Sequence, residues 1–88
     1  MIKEDELKKL RTQIDSVDEQ IIVAIVKRLE YVKIIQDYKR KNNLSRIDKK
    51  REKEILSNRI ESFKRRGMKD KKFAKEIFRK IIGKSIEK

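Results

Sequence analysis

Arg28 stands where an apolar residue belongs. It occupies the row Leu7, Ile14, Ile21, Arg28, Ile35 at seven-residue spacing, so on a helix its guanidinium is aimed at the seam that the other four would bury. A guanidinium taken out of water needs an anion. Lys39 follows eleven residues later, about three helical turns, and projects from nearly the same face roughly 16 Å along the axis. Two cations so placed bracket one stretch of groove and suit a small anionic ligand. A structural reading stays open for Arg28: it could pair with a carboxylate of its own fold, or bury its stem and keep its head at the surface.

Asp48, Arg51 and Glu52 stand at i, i+3 and i+4, one face of one helical turn. They read either as a capping Asp with a local ion-pair cluster or as a clamp. In the clamp, Arg51 holds a carboxylate and the two acids accept from a hydroxyl. Ser85 falls close to the apolar row of Phe78, Ile81 and Ile82, although a lone serine near a helix end often has no role. Arg11 precedes Arg28 by 17 residues, which on one helix is roughly 25 Å and about 100° around the axis. One small ligand cannot be gripped by both in one chain. In an antiparallel helix dimer, Arg11 of the partner subunit can approach Arg28, so a functional Arg11 requires each site to draw on two chains.

The elements that would carry these residues are all helical. The chain has no proline, and its two glycines, Gly67 and Gly83, come late, so nothing interrupts a helix over the first forty residues. Leu7, Leu10, Ile14, Val17, Ile21, Ala24, Ile25, Val32 and Ile35 make a helical stripe. The expected first helix, about 4–41, would span roughly 55 Å, longer than a monomer of this size is wide. A twofold-related copy is its natural cover. Asn42-Asn43-Leu44-Ser45 supplies turn formers. A second helix, about 48–66, carries Ile55, Leu56, Ile60 and Phe63, with Gly67 as a left-handed cap. Asp70 opens a third, about 70–86, with Phe73, Ala74, Ile77, Phe78, Ile81, Ile82 and Ile86. The expectation is one all-α domain over 1–88, one long and two short helices per chain, intertwined as a homodimer.

Composition narrows the chemistry. The 88 residues include no Cys and no His, which removes disulfides, Cys nucleophiles, the usual zinc ligands and the commonest acid–base group. Catalysis must run on Arg, Lys, carboxylates and hydroxyls. Lys and Arg number 27 against 15 Asp and Glu, a net charge of +12. That surplus attracts polyanions or small anionic substrates, or simply solvates the outer helix faces. Two Tyr, three Phe and no Trp offer few stacking surfaces, and no recognition motif is visible, which argues against a nucleic-acid partner. The absence of Cys, of an apolar span and of a secretory pattern leads us to expect a cytoplasmic protein with no membrane partner.

Together these residues resemble the all-helical class of chorismate mutases over nearly the whole chain. Leu10-Arg11-Thr12-Gln13-Ile14-Asp15-Ser16-Val17-Asp18-Glu19-Gln20-Ile21 is similar to the family's opening pattern of Leu-Arg, Ile-Asp and a later Asp. Arg28 and Lys39 follow at the family's spacing, and Asp48-Lys49-Lys50-Arg51-Glu52 resembles its Asp-x-x-Arg-Glu motif. Phe78 to Ser85 resembles its third helix, with Ser85 at the substrate-facing serine. The resemblance implies an interlocked homodimer that rearranges the dianion chorismate to prephenate for phenylalanine and tyrosine biosynthesis, with no metal or cofactor. It implies that Arg28 and Arg11 of the partner subunit hold the substrate carboxylates with help from Arg51. Lys39 would donate to the ether oxygen of the breaking bond, and Asp48 and Glu52 would receive the ring hydroxyl.

One departure stands out. The family usually places Gln or Glu one turn after the serine, which here would be position 89, and the sequence stops at Lys88. The ether oxygen is then left to Lys39 alone, to Glu87 or a terminal group, or to residues of a longer natural chain. Three rival functions stand beside the mutase. They are an isochorismate–pyruvate lyase of the same fold, a basic helical nucleic-acid-binding module, and an inactive regulatory or structural dimer.

Overall fold

Glu4–Lys41 forms a single uninterrupted helix, α1, in the computed structural model, which describes residues 2–86, the side chains of 84–86 excepted. Its ends suit its dipole, with Glu4, Asp5 and Glu6 in the first turn and Lys39, Arg40 and Lys41 in the last. Asn43 stops it. At φ 55° this residue is left-handed, and its N–H donates to the Arg40 carbonyl at 3.3 Å while the Leu44 N–H reaches the Lys39 carbonyl at 2.8 Å. These are the two bonds of a Schellman cap, here with Asn in the position glycine more often takes.

Two further helices follow, α2 (Lys49–Arg65) and α3 (Lys71–Ile86), and no strand occurs among the described residues. Asp48 and Asp70 are their N-caps, accepting the N–H groups of Arg51 at 3.0 Å and Phe73 at 3.1 Å. Each therefore lies just outside the helix it starts. α2 ends in a second Schellman cap: Gly67 sits at φ +93°, its N–H donates to the Lys64 carbonyl at 3.1 Å, and the Met68 N–H donates to the Phe63 carbonyl at 2.9 Å.

The chain comprises two compact units, Met1–Tyr31 and Val32–Lys88, and α1 runs through both. The first is α1 alone, and α1 has no buried residue anywhere along its length. Leu10, Ile14, Val17 and Ile21 are all exposed, Ile14 by 57 %. In the second unit α2 and α3 pack together, burying Ile55, Ala74 and Ile82. Phe63 and Phe78 meet edge to face with centroids 6.1 Å apart, and the Arg59 guanidinium lies 5.9 Å from the Phe78 centroid. Phe73 departs from the expected apolar row and is exposed. It stands one residue before the buried Ala74, about 100° round the helix from it. No helix among the described residues is long and apolar enough to cross a membrane.

Candidate active site

The least exposed residues of α1 are not its isoleucines. Arg28, Leu29, Val32, Gln36, Asp37 and Lys39 are half-buried, and every other described residue of the helix is exposed. Charged and amide side chains are thus drawn in while Ile14, Ile21 and Ile35 face water. In the first unit, Arg28 is half-buried and Arg11 exposed.

The second unit brings three of the expected residues onto one turn at the start of α2. The Asp48 carboxylate takes the Arg51 N–H, so this acid builds the helix end that presents Glu52, which is half-buried. The Arg51 guanidinium does not join Asp48 or Glu52 in an ion pair. It reaches Glu54 instead, Nη1 to Oε2 at 3.8 Å, with both side chains about half exposed. Of the two sequence readings, the capping role of Asp48 is present, and the local ion pair runs to an acid that the spacing argument did not single out.

Lys39 enters this neighbourhood through the backbone. Its Nζ donates to the Arg46 carbonyl at 3.5 Å, and Gln36 Nε2 donates to the same oxygen at 3.4 Å. Arg46 lies two residues before Asp48, in a connection also pinned by Ser45. The Ser45 hydroxyl donates to the Ile47 carbonyl at 3.0 Å and accepts from the Ile47 N–H at 3.2 Å. The last turn of α1 and the first of α2 are therefore tied by a short loop with fixed polar contacts.

Glu52 also lines a cavity of about 310 Å³ with Lys49, Lys53, Leu56, Arg79, Ile82 and Gly83. The start of α2 thus faces the end of α3, where Ser85 is helical. The Ser85 side chain and Glu87 lie outside the described residues. Lys49, Lys53 and Arg79 were not anticipated. Their signal was available in part, since Lys49 stands one turn before Glu52 and Lys53 directly after it, but Arg79 joins them only through the pairing of α2 with α3. A wider groove of about 800 Å³ continues along the same helix pair past Lys53, Leu56, Ile60, Lys72, Lys75 and Arg79 and holds none of the expected site residues.

Within the second unit the arrangement can hold an anion beside a carboxylate: the half-buried Lys39 on α1, an anchored loop, and Glu52 at the head of α2. No curated protein and no solved structure matches the chain. The family described as chorismate mutase type II matches residues 10–88, so the chain belongs to the chorismate mutases of the all-helical class, intramolecular isomerases that act on chorismate.

Proposed function

We propose that the chain works as a single domain within a cytoplasmic homodimer, each site being built from both copies. In this reading Arg28 and Arg11 of the partner subunit hold the two carboxylates of chorismate, with Arg51 assisting. Lys39 donates to the ether oxygen, Asp48 and Glu52 receive the ring hydroxyl, and Ser85 lines the pocket. The observation that carries it is the half-burial of Arg28 and Lys39 on a helix whose isoleucines are exposed. A helix with that distribution needs a cover for its apolar stripe, and a second α1 has the matching length and character.

The reaction breaks one C–O bond and forms one C–C bond within a single molecule, with no proton or external electron pair transferred. The protein then has two tasks. It must hold the enolpyruvyl side chain over the ring so that the reacting carbons start near contact, a matter of orientation that the two arginines serve. It must also stabilise the negative charge that grows on the ether oxygen, where a fixed ammonium acts more strongly out of water. Neither task calls for the histidine or cysteine that this sequence lacks.

The test is the loss of chorismate ultraviolet absorbance with purified protein, with prephenate read as phenylpyruvate after acid treatment. Saturable turnover that Arg28→Ala abolishes is expected, together with a dimer in sedimentation. Full turnover by Arg28→Ala, or by a monomer, would overturn the shared-site reading.

A further inference from the structure

We infer that Gln36 is a positioning residue for Lys39, acting through the backbone carbonyl of Arg46. The inference rests on the proposal that Lys39 meets the ether oxygen. Val32, Gln36 and Lys39 recur at i, i+4 and i+7, one face of the last turns of α1, and all three are half-buried. A glutamine on a surface helix ordinarily turns its amide to water. Here Nε2 donates inward to the Arg46 oxygen at 3.4 Å, and Oε1 is buried without a hydrogen-bond partner. Leaving an amide oxygen dry and unpaired is unfavourable. The side chain holds this pose with its donor committed to the loop.

The carbonyl that Gln36 holds is the one Lys39 uses. At 3.5 Å for Lys39 and 3.4 Å for Gln36, both contacts are longer than the usual 2.9–3.0 Å, so neither donor alone fixes the oxygen. Together they hold it from the side of α1. An ammonium carries three donors and no acceptor. With one spent on Arg46, two remain for an oxygen that becomes negative. Without Gln36 the carbonyl is free to turn to solvent, and Lys39 regains the rotamer freedom of a long, flexible stem. The effect falls on the transition state, where the ether oxygen carries its charge, more than on binding of the ground state. The same link joins the α1 cation to the loop that leads, two residues beyond Arg46, to Asp48.

Steady-state kinetics of Gln36→Met, which keeps length without hydrogen bonding, and Gln36→Glu, which keeps the acceptor without the donor, test this beside Lys39→Ala and the double variant Gln36→Met/Lys39→Ala. Helix content and melting by circular dichroism confirm that each is folded. Each Gln36 variant should lower kcat by about 3- to 10-fold, the worth of one hydrogen bond, with KM within about twofold. In the Lys39→Ala background, Gln36→Met should cost no further kcat. Unchanged kcat in folded Gln36→Met, full kcat in Gln36→Glu, or an equal further loss in the Lys39→Ala background would each overturn the positioning role while leaving Lys39 in place. Near-normal turnover by Lys39→Ala itself would instead remove the reading on which the inference stands.

Discussion

The Asp48 carboxylate accepts the backbone N–H of Arg51 at 3.0 Å, so the acid we propose for the substrate hydroxyl is also the N-cap of α2. The two roles separate by substitution. Asp48→Ala removes the cap and should cost about 1 kcal/mol, seen as a fall in Tm of about 4–8 °C for a domain of this size. Asp48→Asn keeps a capping oxygen and should melt within about 2 °C of the parent. Its kcat/KM should still fall by about 3- to 10-fold, because an amide oxygen accepts a hydroxyl less strongly than a carboxylate. Equal thermal losses for the two variants would show that the cap is not what Asp48 contributes.

Glu54 holds the guanidinium of Arg51 at 3.8 Å with both side chains about half exposed. A pair so solvated contributes little, so Glu54→Ala should change stability by less than about 0.5 kcal/mol in a denaturant titration. It should leave KM for chorismate unchanged or lower, since Arg51 is then free to meet a carboxylate. Arg51→Ala should raise KM by about 3- to 10-fold. A rise in KM on removing Glu54 would mean that the pair, and not the free guanidinium, serves the site.

The two glycines should respond with opposite signs to the same substitution. A Cβ at either would meet nothing within 4 Å, but Gly67 sits at φ +93° and Gly83 within helix α3. Gly67→Ala should destabilise by about 1–2 kcal/mol through the left-handed backbone alone. Gly83→Ala should stabilise by about 0.5–1 kcal/mol by reducing the freedom of the unfolded chain. Thermal melts of the pair, run side by side, decide this.

Mixing two inactive variants tests whether sites are shared. If Arg28 and Arg11 of the partner subunit serve one site, a heterodimer of Arg11→Ala and Arg28→Ala has one intact site and one doubly altered. Random exchange of subunits should then restore about a quarter of the parent activity per site. No recovery after unfolding and refolding the mixture together would place both arginines' effects within one chain.

Much of the local architecture was legible because its causes lie within a few residues of their effects. The absence of proline and early glycine allowed α1 to run from Glu4 to Lys41. The Asn42-Asn43 pair, Gly67, Asp48 and Asp70 marked the ends, each through a bond spanning three to five residues. Misplacement was confined to single residues, as with Asp48, Arg66 and Asp70, which flank their helices as caps. The all-helical chorismate mutase family was legible for a related reason. Its motif residues recur in order along helices whose spacing is regular, and the family match over residues 10–88 agrees with that reading.

The tertiary structure decided which polar groups meet. Composition and spacing put Arg51 beside Asp48 and Glu52, but its side chain reaches forward along α2 to Glu54. Nothing in the pattern marked Gln36 or the Arg46 carbonyl, because a backbone oxygen has no residue type to read and its direction depends on how the loop of Ser45, Arg46 and Ile47 folds. Arg79 likewise comes to Glu52 only because α2 and α3 pair through Ile55, Ala74 and Ile82. Sequence alone determined the helices and the family, since both rest on local periodicity. The neighbours of Gln36, Lys39 and Arg79 were settled by contacts between separate segments, which depend on loop geometry and packing and leave no periodic trace in the chain, while Arg51 found its acid within its own helix.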